Sequence, residues 1–267
     1  MRWQNVCIES MGYVLPPNVV TSDELEAGFQ PLLTRLGMPP GQIEKLAGVR
    51  ERRYFDEGVL PSEVAALAGE DALQKAGIGI DQVDCLINTS VSRDYLEPAT
   101  AAMVAGRLGL PRQAFCFDIT NACVGFLNGL MVAANQIELG QIDTALIVNA
   151  ECVRDGVMAT LQRMSAPDAT SDTFRDNFAT LTLGSAAVAA VVTKASLSKT
   201  KHRLKGAFAR TATEHNDLCL ANKLEMHSNA HGLLVHGVGL AVETWPLAAE
   251  EIGWKSPADI DQFICHQ

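Results

Sequence analysis

Residues Ala114–Leu139 read AFCFDITNACVGFLNGLMVAANQIEL. Ala114–Ile119 is a short apolar run of strand type, and Cys123–Leu139 is a mostly apolar stretch of helical length closed by Gly140. A strand that passes straight into a helix is the repeating unit of a layered α/β sheet. The alternation continues upstream. Val6–Ile8 opens a strand, and a helix follows from Thr21, with Ser22 and Asp23 as capping candidates and Glu24 and Glu26 at its positive end. Ser62–Ala76 keeps helical spacing in Val64, Leu67, Ala68, Ala72 and Leu73 until Gly77 and Gly79 end it. Val83–Asn88 is a buried strand, and Pro98 opens a helix carrying Ala101, Ala102, Val104, Ala105 and Leu108. Downstream, Thr144–Ala150 is another buried strand. A polar helical insert, Arg154–Phe178 (about residues 154–180), is broken at Pro167, and Leu183–Val192 is one more central strand.

The pattern βαβαβαββ predicts an α/β layered sheet over residues 1–194. Lys194–Arg203 is a polar connector, after which the pattern restarts over 195–267: a strand at Leu204–Thr213, a helix at Leu233–Ile252 and a strand at Ile260–Cys265. Gln267 follows that strand directly, so this second half is expected to be partial.

Of the 267 residues, 48% are apolar and 19% charged, which suits a sizeable core and excludes a disordered chain. Lys and Arg total 21 against 31 Asp and Glu, a formal net charge of −10 with no basic run, so neither nucleic acid nor an anionic membrane surface is an expected partner. No uninterrupted apolar stretch reaches the roughly 18 residues of a membrane span. Met1–Ser10 has neither the basic flank nor the apolar region of a secretory signal. Seven cysteines without a C-x-x-C pair, several in apolar runs (Cys85, Cys116, Cys265), read as reduced, buried thiols of a cytoplasmic protein.

Cys123 is the leading candidate for chemistry. At the start of a helix, unpaired N–H groups and the dipole favour a thiolate and can hold an oxyanion on an attached acyl group. Position alone also allows a buried structural cysteine. His266 follows the strand Ile260–Cys265, at the carboxyl end where α/β sheets place ligands, or is a surface or hinge histidine. Glu97 precedes Pro98 at a helix start, a place that favours acids for dipole reasons alone. His227, His231 and His236 lie close together, but only the first two have i, i+4 spacing and no glutamate completes H-E-x-x-H, so no metal site is expected. Neither G-x-G-x-x-G nor G-x-x-x-x-G-K-[ST] occurs, and no nucleotide cofactor is expected.

Three segments carry a resemblance: INTSVSRDYLEPAT (Ile87–Thr100), DITNACVGF (Asp118–Phe126) and FICHQ (Phe263–Gln267). Together they resemble the ketosynthase III branch of the thiolase superfamily, and more narrowly the OleA-type acyl-CoA condensing enzymes of bacterial long-chain olefin biosynthesis. The resemblance implies a duplicated βαβαβαββ fold of five layers, here with its second half incomplete, assembled as a homodimer. It implies that Cys123 takes the acyl group of a first long-chain acyl-CoA and that His266 polarises the thioester and stabilises the enolate. Glu97, inserted by the neighbouring subunit, is then the base for the second acyl-CoA. The asparagine and glycine-rich turn that the family also uses lie beyond the histidine.

The chemistry suits these residue types. A thiolate attacks a thioester and leaves again readily. Two plain fatty acyl-CoAs have no carboxylate to lose as CO₂, so a base must take an α C–H proton, and a carboxylate in an apolar site is tuned toward that task. The expected reaction is a non-decarboxylative Claisen condensation giving a β-keto acid, passed on to later olefin-pathway enzymes. Its rivals are a decarboxylating 3-oxoacyl-ACP synthase III and a non-catalytic, truncated subunit. Ala99–Ala105, Phe126, Leu127 and Leu130 are candidate linings of acyl tunnels, or ordinary core.

Overall fold

The apolar runs read as buried strands come together, in a computed structural model of the chain, as one mixed five-stranded sheet. The structure describes residues 1–254 and 256–266; Gln267, the last residue of the FICHQ segment, lies outside them. The elements are β1 (Val6–Val14), β2 (Asn18–Thr21), α1 (Ser22–Ala27), α2 (Gln30–Arg35), α3 (Gln42–Ala47), β3 (Glu51–Tyr54), α4 (Pro61–Ala76), β4 (Cys85–Asn88) and α5 (Thr100–Leu108). They continue as β5 (Phe115–Asp118), α6 (Gly125–Glu138), β6 (Thr144–Glu151), α7 (Arg154–Ser165), α8 (Ser171–Asn177), β7 (Ala186–Lys194), β8 (Cys219–Ala221), β9 (Met226–Ser228) and α9 (Ala230–Ile252).

The sheet order is β1-β7-β6-β4-β5. β4 runs parallel to β5 and β6, whereas β7 is antiparallel to β6 and β1. Strands buried on both faces read as continuous apolar runs, which is why β4, β6 and β7 were legible. Alternate side chains then serve opposite layers. Leu86, Leu146, Val148 and Val191 meet Val64, Ala65, Ala68 and Ala72 of α4 and Ala101 and Val104 of α5. Cys85, Ile87, Ala145, Ile147, Ala190 and Val192 meet Leu130, Ala133, Ala134 and Ile137 of α6. The alanine face of α4 lets β1 lie on its backbone: a Cβ on Gly12 would stand 2.3 Å from the Ala68 carbonyl oxygen. A third cluster joins α1, α2 and α3 to α7 and α8, through Leu25, Phe29, Leu33, Ile43, Met164 and Phe174.

Several expectations are corrected. The first helix is capped by Thr21 itself, whose side chain accepts from the Glu24 N–H while Glu24 reaches back, rather than by Ser22 or Asp23. α5 starts at Thr100, not Pro98, because a carboxylate from β5 holds the amides of Thr100 and Ala101. Leu204–Thr213 is not a strand. Its first residues pair only intermittently, with the chain start and the first residues of β1, through the bridge Arg2–Gly206 and the adjoining bridge Cys7–Arg203. Ile260–Cys265 is not a strand either: no described strand lies beside it, and Ile264 is 90% exposed. Cys265 is therefore exposed rather than buried, and Cys116 only half-buried.

From 195 onward the described residues form a two-stranded ribbon, β8–β9, and the long helix α9. Although no uninterrupted apolar run occurs there, α9 has 23 residues and a window of mean hydropathy 1.2, long and apolar enough by composition to cross a membrane. It carries His231, His236 and Glu243, and its Leu234, Val238 and Val242 face outward.

The connector is pinned to the sheet by Glu9, which lies in a bulge of β1 between Ile8 and Ser10. Its buried carboxylate accepts from Ser198 Oγ (2.6 Å) and from the Lys199 amide (3.0 Å). Burial alone would raise this carboxyl, but the hydrogen bonds from Ser198, Lys199 and Thr200 outweigh it and hold it below the ordinary glutamate value. A depressed folded-state value contributes stability above the unfolded value of about 4.3, lost as pH falls through the folded one. Glu9→Gln is expected to cost about 1–3 kcal/mol at neutral pH. The deficit should shrink as pH falls below about 4.3, read from thermal unfolding of both proteins across a pH series.

Candidate active site

β4, β5 and β6 are parallel, so their carboxyl ends share one edge, the usual place for ligands in an α/β sheet. The loop after β5 carries Cys123. Ile119 continues the pairing by donating to the Asn88 carbonyl (2.8 Å), and Asn121 Nδ2 donates to Asn128 Oδ1 (2.7 Å). Ala122, Cys123 and Val124 form a 3-10 turn, and α6 begins at Gly125 rather than at Cys123 itself. Ala122 has φ +43°, a left-handed conformation uncommon for a residue with a Cβ. Cys123 is exposed at the mouth of the helix.

The turn is brought there by an unusually close helix–sheet contact. A Cβ on Gly125 would stand 2.9 Å from the Thr89 carbonyl oxygen. One on Gly129, a turn later, would stand 2.8 Å from Thr89 Cγ2 and 3.1 Å from Ile147 Cγ2. Thr89 is itself buried and immobilised, with Oγ1 donating to the Val148 carbonyl (3.0 Å).

Three of the other thiols are raised by their surroundings. Burial pushes Cys85 up to about 12, with Cys116 and Asp84 adding to it. Burial also pushes Cys152 up to about 12, helped by the carboxylates of Glu151 and Asp94. Cys116 is raised by burial and by Asp118. Thiols held protonated in this way are poor nucleophiles. Cys219 and Cys265 are exposed, but neither lies on the loops that leave the parallel strands.

Glu97 lies on the loop that leaves β4, at the same sheet edge as Cys123. The base of this loop is firmly held. Glu151 accepts from the amides of Val91 (2.8 Å) and Ser92 (3.0 Å), Asp94 accepts from the Ser62 amide (2.9 Å), and Arg93 donates to Thr120 Oγ1 (2.6 Å). Its tip is solvent-facing: Tyr95, Leu96 and Glu97 are exposed, Leu96 by 89%. Within one chain Glu97 therefore faces solvent. His266 lies in the exposed coil after α9. The structure thus brings Cys123 and Glu97 to one sheet edge on adjacent loops, while His266 lacks the strand expected to carry it.

A polar network beneath these loops was not singled out by residue type. Asn88 is fully buried, donates to Asp118 Oδ1 (3.1 Å) and accepts from Ser90 Oγ (2.7 Å). Ser90 Oγ in turn accepts from the Ala150 amide (2.7 Å). Its signal in the sequence is the polar triplet Asn88-Thr89-Ser90 directly after the apolar run Cys85–Ile87, since buried polar groups must find partners. Of the candidate tunnel residues, Ala101, Val104 and Leu130 are core, whereas Leu127 is exposed. His227 is on β9 beside Glu225 (2.9 Å), His231 is in α9, and His236 stacks on His215, so the i, i+4 pair spans a strand end and a helix start. Among the described residues no group of three or more His, Cys, Asp or Glu is arranged to hold a metal ion.

The profile of the thiolase N-terminal domain matches residues 55–216. The acyl-CoA:acyl-CoA alkyltransferase of Xanthomonas campestris is 41% identical over 267 residues, 100% of this chain and 79% of that protein. The crystal structure of a cysteine-to-serine variant of Xanthomonas campestris OleA with bound lauric acid and lauroyl-CoA superposes with a TM-score of 0.95 at 41% identity, covering 99% of this chain and 78% of that one. By contrast, the β-ketoacyl-[acyl-carrier-protein] synthase III of Aliarcobacter butzleri is 36% identical over only 53% of this chain and 40% of that protein.

The glycine contact yields a signed test. Alanine for glycine inside a helix ordinarily gains about 0.5–1 kcal/mol. Gly106→Ala in α5, where a Cβ meets nothing within 4 Å, should show that gain. Gly129→Ala should instead lose about 1–3 kcal/mol through overpacking against Thr89 and Ile147, measured by urea unfolding of the pair.

Proposed function

Since the chain belongs to the thiolase superfamily and, within it, to the acyl-CoA:acyl-CoA alkyltransferase (OleA) family, we propose that it joins two long-chain fatty acyl-CoAs head to head by Claisen condensation without decarboxylation. The single observation that carries the residue assignment is the exposed Cys123 in the turn that opens α6, at the carboxyl ends of the parallel strands.

The Cys123 thiolate attacks the carbonyl of the first acyl-CoA, and CoA leaves as its thiolate. Glu97 takes the α-proton of the second acyl-CoA. The resulting enolate attacks the acyl-cysteine carbonyl, Cys123 leaves, and a β-ketoacyl-CoA is formed. Hydrolysis of its thioester gives the β-keto acid and CoA. His266 polarises the thioester carbonyl. The partial charge at the head of the 14-residue helix α6 favours both the thiolate and the oxyanion of the tetrahedral intermediate.

Supporting this division of labour, the loop bearing Glu97 is rooted by several hydrogen bonds yet presents its tip outward, as a group delivered to a neighbouring subunit of a homodimer would be. The relative's crystal structures with bound lauroyl-CoA speak for acyl-CoA as the substrate class. No cofactor is required by these steps. Seven free cysteines fit a cytoplasmic setting.

Removing a general base ordinarily costs 10²–10⁴-fold in rate, roughly. Glu97→Gln is expected to lose condensation by such a factor while its Cys123 still gains a lauroyl group, seen as a mass increase of the intact protein; Cys123→Ala should lose both. Full condensation by Glu97→Gln, or a requirement for malonyl thioester with release of CO₂, would overturn the proposal.

A further inference from the structure

We propose that Asp118 is a positioning residue for condensation: its carboxylate sets where the Glu97 loop stands relative to the Cys123 turn. The inference rests on the roles given above to Cys123 and Glu97 and extends them to a residue that touches neither substrate.

Asp118 is the last residue of β5, at the start of the loop that leads to Cys123. Asp118 Oδ1 accepts from the Ala101 amide (2.8 Å) and from Asn88 Nδ2 (3.1 Å), and Oδ2 accepts from the Thr100 amide (3.0 Å). Thr100 and Ala101 are the first residues of α5, immediately after the Glu97 loop. The residue in the N-cap position of α5 is Ala99, which has no side chain to cap with. The helix therefore takes its cap from another strand, as a charged group placed where the helix dipole favours an anion.

The consequence is geometric. The Glu97 loop has one end fixed by the Glu151, Asp94 and Arg93 contacts, and the other fixed by Asp118. Asp118 is held in turn by Asn88, which sits opposite it in the parallel register. Cys123 does not depend on this clamp to the same degree, because its turn is fixed by the glycine face of α6 on Thr89 and by the Asn121–Asn128 hydrogen bond. An amide at position 118 offers one acceptor oxygen and turns an N–H₂ toward backbone donors, so the far end of the Glu97 loop is released while the nucleophile stays in place.

The test separates two half-reactions of the full chain. Acylation of Cys123 by lauroyl-CoA is followed by intact-protein mass, and condensation by the β-keto product. Asp118→Asn is expected to acylate within about three-fold of the unaltered protein and to condense at least ten-fold more slowly. Amide hydrogen exchange should quicken at 100–102 and stay unchanged at 125–130. Thr100→Pro removes one of the two donated amides at a helix position that tolerates proline, and it should give the same split, which keeps the idea testable if Asp118→Asn fails to fold. Equal losses in both half-reactions, or no loss of condensation, would overturn it. If instead the unaltered protein neither acylates nor condenses, the functional reading fails rather than the clamp.

Discussion

The site depends on one steric condition: nothing stands between the first turns of α6 and the strands β4 and β6 beneath them. Gly125 and Gly129 supply that condition, letting the helix backbone rest on Thr89 and Ile147. A close-packed interior has no slack to absorb even a methyl group at such a contact. The Cys123 turn is thus fixed by the core itself, and Ala122 takes a left-handed conformation to connect a strand that ends at Asp118 with a helix so tightly seated. Backbone strain of this kind persists only where the surroundings over-determine it.

Bringing a helix that close leaves polar groups with nowhere to go but each other. Asn88, Thr89 and Ser90 are all buried, and each finds a partner on a neighbouring strand: Asp118 on β5, Val148 and Ala150 on β6. A half-satisfied network would be worse than an apolar one, so these bonds tie the three strand ends together rather than merely filling space. The loops that bear Cys123 and Glu97 leave from neighbouring points of that frame.

Legibility in the sequence follows the range of the interactions. β4, β6 and β7 could be read because burial on both faces makes apolarity continuous, and α4 because Val64, Ala68, Ala72 and Leu73, all in the core, recur with the helical period, although Leu67, read with them, is exposed. The Cys123 junction could be read because strand and helix adjoin there. The ribbon of β2 with β3 and the six-residue helices α2 and α3 were not legible, since elements that short carry little periodicity and owe their form to the cluster around Phe29 and Ile43. Pro98 misled, because the helix start is decided by Asp118, remote in sequence and adjacent in space. Ile260–Cys265 has a strand's composition, but a strand is a pairing rather than a property of six residues.

The same contrast bears on the seven thiols, of which the proposed function uses one. Burial that helps packing penalises the charged form, and at Cys85 and Cys152 it is reinforced by neighbouring acidic groups, so these two thiols are silenced by the forces that make them good core residues. Cys123 is exposed, because the glycine face of α6 places it beyond the core, at the end of a helix rather than beneath it. Under the proposed function, Glu97 poses the converse problem, a carboxylate that needs dry surroundings and stands in water within its own chain. A loop pinned at both ends resolves this, because its ordering is completed on folding and only its tip remains to be covered when two chains meet.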